Sequence, residues 1–458
     1  MAVNPQIFRE YDIRGLVDVD LNESTVELIG RAVGTYLRQN GVTQATLGWD
    51  ARLSSPAYSR AIQRGLLATG TDVVLLGMVA TPVFYFANYH YGYRGGVIVT
   101  GSHNPAEYNG FKVACGRGTI FGEEIQKIYQ LLVNGDFARG EGKLTDRDPL
   151  PDYKQALLSR ITGKAGLKVV VDAGSGMAGP IAPELLSAAG CTVIPLYCQP
   201  DGNFPHHHPD PTVPANLVDL IELVRREKAD LGIAYDGDAD RIGAVDEHGN
   251  IVFGDRLLAL YAREILAKNP GGKIIFEVKC SQALIEDIEA HGGVPIMWKT
   301  GHSLIEEKIH QEKALLAGEM SGHIYFADNY YGYDDAIYAS LRLVELLGKA
   351  GKTFSQLLAT LPQYFSTPEI RLDCPDEVKF QVVEEVTRFF SQNYDTITVD
   401  GVRVNFGDGW GLIRASNTQP VLVLRFEAKT EGRLAEIKDL MEGKLAEVMG
   451  RYDCRGGF

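Results

Sequence analysis

Residues 229–241 read ADLGIAYDGDADR. An apolar run ends abruptly in Gly237 and three aspartates at alternate positions, Asp236, Asp238 and Asp240. The run is short and continuous rather than alternating, which suits a strand buried on both faces of a parallel sheet. The same shape occurs twice more: GGVIVT (95–100) empties into GSHNP, and ALLAGE (314–319) into MSGH. Each is preceded by a strand, a helix and a second strand. In the first copy these are ATLGWD (45–50), a helix near 55–69 and TDVVLLG (71–77). In the second they are LKVVVDAG (167–174), a helix near 179–189 and CTVIPLY (191–197). In the third they are KIIFEVK (273–279), a helix near 281–291 and GVPIMW (293–298). Alternation of this kind predicts three similar mixed α/β units with right-handed crossovers. Their polar loops fall at the carboxyl ends of the strands, where ligands bind in such sheets.

The last stretch differs. After STPEIRLDC (366–374), Val378, Val382, Val383, Val386, Phe389 and Phe390 follow helical spacing. TITVD, GVRVNF and PVLVLRFEA then read as neighbouring strands, before a final helix over 431–450. Grouped strands predict a small α+β domain with an antiparallel sheet. At roughly 150 residues per domain, 458 residues would give three domains. The pattern gives four, over 1–150, 151–250, 251–365 and 366–458, with polar boundaries at 134–152, 246–256 and 361–368.

Composition narrows the function. With 45% apolar and 23% charged residues the chain reads as globular, which excludes a disordered, coiled-coil or collagen-like protein. A net charge of −14 argues against a nucleic-acid partner. An anionic small substrate would need a locally positive site inside this negative shell. The six cysteines (Cys115, Cys191, Cys198, Cys280, Cys374 and Cys454) show no CxxC spacing, so neither a zinc site nor a redox pair is expected. The opening MAVNPQIFREYDIRG has no apolar core, and no uncharged run reaches membrane-spanning length. The expectation is a reduced, cytoplasmic protein with no membrane partner.

Four loops carry candidate chemistry. In TGSHNP, Gly101 permits close backbone approach and Ser102 offers a hydroxyl. His103 adjoins it, but neighbours on an extended loop usually point apart, so no Ser–His pair is implied; alone, the loop reads as a turn. In DGDADR, three carboxylates at i, i+2 and i+4 suit a hard divalent cation, against the plainer reading of a solvated acidic turn. Arg241 stands next, ready for a phosphate oxygen. In GEMSGH, Glu319 and Ser321 fall on one side of an extended loop, suited to two sugar hydroxyls, and His323 is an acid/base group or an ordinary loop histidine. In RASNTQP, Arg414 and the turn Ser416–Asn417–Thr418 form an anion nest or a plain polar hairpin. Arg14, Lys112, Lys279 and His302 complete a basic inventory. The run His206–His208 lies in a proline-rich loop and reads as structural, since three consecutive histidines cannot all face one ion.

From YDIRG through TGSHNP, DGDADR, KTGHS and GEMSGH to RASNTQP, these motifs in this order resemble the α-D-phosphohexomutase superfamily, closest to its bacterial phosphomannomutase/phosphoglucomutase members. The resemblance spans almost the whole chain. It implies three similar mixed α/β domains and a C-terminal α+β domain of TATA-binding-protein-like fold around a deep central cleft. It implies catalytic roles for Ser102, as a phosphoserine, and for His103, Lys112, Arg241, His302, His323 and Arg14. Sugar and phosphate would be held by Tyr11, Lys279, Glu319, Ser321, Arg414, Ser416, Asn417 and Thr418. One Mg²⁺ per chain would sit on Ser102, Asp236, Asp238 and Asp240.

The implied reaction is reversible phosphoryl transfer between the 1- and 6-positions of a mannose or glucose phosphate. A glucose or mannose 1,6-bisphosphate would be the intermediate and activator. Lys112, His302 and His323 are the candidates for proton transfer. Met320 in GEMSGH matches the dual-sugar enzymes, whereas phosphoglucosamine mutases resemble it with another residue there. The alternatives are a phosphoglucosamine mutase, a metal-dependent sugar phosphatase, or a noncatalytic sensor. The expected assembly is a monomer or weak dimer, and the last domain is expected to close over the sugar.

Overall fold

The structure, a computed structural model, describes residues 3–116 and 118–452; Cys454 lies outside them. Cys115, Cys191, Cys198 and Cys280 are free thiols. Among the described residues no helix is long and apolar enough to cross a membrane.

The three α/β units repeat one strand order. In the first it is Asp72–Met78, Gln44–Trp49, Gly95–Val99, Tyr108–Cys115. The second has Thr192–Leu196, Lys168–Asp172, Leu231–Tyr235, Ile242–Asp246, and the third Val294–Trp298, Lys273–Glu277, Leu316–Gly318, Ile324–Phe326. The first three strands of each unit run parallel, as their continuous apolar character predicts. The fourth, which the sequence pattern did not reveal, runs antiparallel beside the third. Each polar loop is therefore the turn between two adjacent strands, anchored at both ends. Ile13–Leu16 and Leu144–Asp146 extend the first sheet, and Ile251–Val252 extends the second.

The helix Thr81–Tyr91 is apolar on nearly every side, and Gly92 ends it in the left-handed conformation at φ 75°. Such a helix must be covered all round. Phe86 meets Tyr153 and Tyr331 at ring distances of 5.5 and 6.1 Å. One continuous core joins Phe84 and Ile98 of the first unit, Val171 and Ile233 of the second, and Phe276 and Ile337 of the third. Burying a side chain of this size contributes about 1.5–3 kcal/mol. The shared core fixes three of the four loops relative to one another.

The C-terminal unit is an antiparallel sheet, Phe365–Ser366, Val421–Ala428, Gly409–Ala415, Val402–Asn405, Asp395–Ile397, with Ile370–Asp373 also paired to Val421–Ala428. Two helices, Lys379–Asn393 and Glu431–Met449, pack on it and on each other. Val382, Val383, Val386 and Phe390 enter its core as their spacing predicts, whereas Phe389 faces outward and Val378 precedes the helix. The expected strand TITVD is shorter, ending at Ile397. This unit meets the third through Val278, Trp410 and Leu412. Arg403 stacks 3.6 Å over Trp410 and donates to the carbonyls of Val278 and Cys280, so its buried guanidinium is satisfied by backbone acceptors.

Candidate active site

The serine and aspartate loops meet at van der Waals range. A Cβ on Gly237 would lie 2.4 Å from the Ser102 carbonyl oxygen, so only glycine permits the approach. Ser102 is 2% exposed and holds φ 46°, a strained conformation for a residue with a Cβ. Its hydroxyl donates to Asp236 Oδ2 at 2.8 Å and lies 3.2 Å from His103 Nδ1. The expectation that His103 points away is thus overturned: the left-handed bend at Ser102 brings the two side chains together.

Asp236, Asp238 and Asp240 are fully buried, with carboxylate oxygens within 4.8 Å of one another. Thr81 and Thr100 donate to Asp238, Lys112 Nζ donates to Asp238 at 3.1 Å and to Asp240, and the Asp240 and Arg241 amides donate to Asp236. Burial, with the Asp240 and Asp238 charges beside it, pushes the Asp236 carboxyl far up. Burial opposes the Lys112 charge, but Asp238 and Asp240 outweigh it and hold the ammonium well above its ordinary range. Asp238 Oδ1 and Asp240 Oδ1 carry no hydrogen bond. Two buried oxygens without a hydrogen bond, in an all-oxygen set, fit a hard divalent cation.

Across the cleft, Arg241 Nε donates to His323 Nε2 at 2.9 Å, and His323 Nδ1 faces Asp334 Oδ2 at 2.7 Å. Burial opposes protonation of His323, but Asp240 and Asp334 prevail and raise it. His302, 6.0 Å from His323 between ring centres, is instead kept neutral by burial and by Lys112. His103 is held well below its usual range by burial and by Arg241. Glu319 is 2% exposed and accepts from the Gly301 amide, while Ser321 is half-buried on the same loop.

The C-terminal loop closes the fourth side. Tyr11 donates to the Thr300 carbonyl at 2.7 Å and accepts from Asn417 at 2.6 Å, tying the first, third and last units together. Gly301, at φ 136°, packs where a Cβ would strike the Tyr11 ring at 2.5 Å. Ser416 accepts from the Thr418 and Gln419 amides. The remaining cations hold carboxylates: Arg14 pairs with Asp12, Arg414 with Asp400 at 3.0 Å, and Lys279 with Glu369 at 3.1 Å. In the His206–His208 run, His207 is bound to Asp172 at 3.0 Å.

Sequence reasoning missed Asp334, Asp400, Glu369 and Arg52. Asp334 lies in DNYYGYDD (328–335), among tyrosines that mark it as packing rather than chemistry. Only Arg52 had a local signal, a charge pair (Asp50, Arg52) directly after a buried strand.

Four family models cover most of the chain. Alpha/beta/alpha domains I, II and III of phosphoglucomutase/phosphomannomutase match residues 5–139, 151–249 and 253–365, and the C-terminal domain matches 369–444. The chain belongs to the phosphoglucomutase/phosphomannomutase family. It is 46% identical to the phosphomannomutase/phosphoglucomutase of Pseudomonas putida, over 98% of this chain and 97% of that protein. It is 44% identical to a phosphoglucomutase of Neisseria meningitidis serogroup A, over 94% and 95%. The crystal structure of a phosphoglucomutase/phosphomannomutase family protein from Burkholderia thailandensis covers 100% of both chains, at a TM-score of 0.94 and 41% identity.

Proposed function

We propose that this family member is a phosphohexomutase that moves a phosphoryl group reversibly between O1 and O6 of mannose and glucose phosphates, with Ser102 as the carrier. The observation that carries the reading is the Ser102 hydroxyl 2.8 Å from Asp236, at a buried group of three carboxylates. Asp236, Asp238 and Asp240, with an oxygen of phosphorylated Ser102, would hold Mg²⁺. The ion would supply charge neutralisation on the phosphoryl oxygens.

The chain's own groups account for the rest. Arg414, Ser416, Asn417 and Thr418 hold the phosphate that is not being transferred, with Tyr11 and Lys279 beside them. Glu319 and Ser321 accept from the sugar's 3- and 4-hydroxyls, which present the same face in either orientation, and the 2-hydroxyl is left unread. The free sugar hydroxyl attacks phosphoserine: a new O–P bond forms and the Ser102 O–P bond breaks. His323, its Nδ1 fixed on Asp334, takes the hydroxyl proton at Nε2 as Arg241 turns to the phosphoryl oxygens. Lys112 and Arg241 balance charge on the transferring group. The bisphosphate then turns; the Ser102 oxygen bonds to the other phosphorus, the bond from that phosphorus to the sugar oxygen breaks, and His323 returns its proton to the freed sugar oxygen.

Burial of Ser102 counts against the hydrolase alternative, because water has little access to the phosphoserine. The test is a coupled assay on glucose 1-phosphate and mannose 1-phosphate with Mg²⁺ and a trace of glucose 1,6-bisphosphate. Comparable turnover of both, abolished in Ser102→Ala, is expected. Turnover of neither, or phosphate release without sugar exchange, would overturn the reading.

A further inference from the structure

Arg52 is 1% exposed, and the bonds of its guanidinium on the serine loop go to backbone carbonyls. Its Nη1 donates to the carbonyls of Pro105 at 2.6 Å and Tyr108 at 2.9 Å. Its Nη2 donates to those of Ser102 at 2.8 Å and Asn104 at 2.5 Å. Four carbonyls of one loop therefore converge on a single side chain. Nε faces Asp50 Oδ2 at 3.3 Å, and the same carboxylate oxygen accepts from the Gly101 amide at 3.2 Å. Asp50 Oδ1 accepts from the Arg52 amide and from Ser55 Oγ, which fixes the carboxylate in turn. From the second unit, Phe204 covers the guanidinium at 5.1 Å.

A planar fork with five N–H donors can serve this many acceptors in one plane; an ammonium cannot. The loop needs such support. Ser102 sits at φ 46°, and a strained residue persists only where its surroundings over-determine it. A Cβ on Gly101 would lie 2.5 Å from the guanidinium carbon, so loop and clamp are fitted to each other. We propose that Arg52, held by Asp50, is the positioning residue of the phosphoserine loop: it fixes the bend that aims the Ser102 hydroxyl at Asp236. Arg52 touches neither sugar nor phosphate in this role. Removing it misaligns the transferring oxygen without weakening sugar binding, since Glu319 and Arg414 belong to other units.

The inference rests on Ser102 being the phosphoryl carrier, and the experiment separates the two. Full-length parent, Ser102→Ala, Arg52→Lys and Asp50→Asn are compared with glucose 1-phosphate, Mg²⁺ and a trace of glucose 1,6-bisphosphate. The initial rate of Ser102 phosphorylation by excess glucose 1,6-bisphosphate is followed by intact-protein mass. Arg52→Lys is expected to lower kcat by about 10- to 100-fold, the scale of an ångström-sized misplacement, with KM unchanged and phosphorylation slowed in parallel. Asp50→Asn, which keeps shape and removes charge, should give the same pattern to a smaller degree. If Arg52→Lys does not fold, Asp50→Asn decides by the same criterion. Parental kcat and phosphorylation rate in the folded variants, or a loss confined to KM, would overturn the proposal while leaving Ser102 as carrier. Turnover surviving in Ser102→Ala would instead remove the phosphoserine reading beneath it.

Discussion

Gly237→Ala adds one methyl group where the aspartate loop crosses the serine loop. The new Cβ would stand 2.4 Å from the Ser102 carbonyl oxygen and 3.3 Å from Pro209 Cγ. Ordinary contact begins near 3.5 Å, so the two loops must part by about 1 Å. The Ser102 carbonyl cannot simply yield, because Arg52 holds it. A displacement of that size between the proposed carrier hydroxyl and the carboxylates proposed to hold metal should cost about 100-fold in kcat, which is about 2.7 kcal/mol of barrier. Overpacking should also lower stability by about 1–3 kcal/mol, leaving the protein folded at assay temperature. KM should hold, because the sugar and phosphate loops belong to the other two units. The assay is initial-rate kinetics on glucose 1-phosphate beside a thermal melt. A folded variant with kcat within about threefold of parent would show that loop spacing does not limit transfer.

Three further expectations follow from the same geometry. Asp334→Asn should lower kcat with KM intact, by no more than the about 10²–10⁴-fold that general-base catalysis supplies; an unaffected kcat would remove His323 from proton transfer. Chelation should stop turnover and Mg²⁺ restore it, and Mg²⁺ at a hundred times its Kd should stabilise the parent by about 2.7 kcal/mol; Asp238→Asn should lose that gain, and an equal gain would place the ion elsewhere. Glu306 is buried, donated to by Tyr89 at 2.7 Å, and burial pushes its carboxyl up to about 7 from 4.5. The folded state then holds the proton more tightly than the unfolded one, so stability falls as pH rises between 4.5 and 7. Glu306→Gln should match the parent at pH 4 and exceed it at pH 8 by up to about 3 kcal/mol in urea unfolding; the same gap at both pH values would refute this.

The sequence was most legible where chemistry is contiguous. DGDADR and TGSHNP each hold their polar groups within a few residues, immediately after a buried strand, so pattern and function coincide. The triple repeat was readable because three parallel strands per unit carry uninterrupted apolar runs. In the first unit the fourth strand escaped because Asn109 and Lys112 break the apolar pattern of Tyr108–Cys115 while both are buried, bonded to Ser55 and Asp238. His103 was misread because its direction depends on the φ of Ser102, which tertiary contacts impose. Glu369 was invisible because it meets Lys279 from another unit of the fold, and Asp334 and Asp400 because they meet His323 and Arg414 from separate loops of their own units, outside the short motifs that carry those residues.

Those carboxylates give the cleft a property of its own. Arg414 rests on Asp400, Lys279 on Glu369, Arg14 on Asp12 and Lys112 on Asp238 and Asp240. If these four cations hold the phosphates as proposed, each keeps a carboxylate beside it when its phosphate departs. Letting go of one end of a bisphosphate is then an exchange between two anions rather than the exposure of a buried charge. An intermediate that must release both ends, reverse and rebind would then meet cations whose charge is balanced with or without its phosphates.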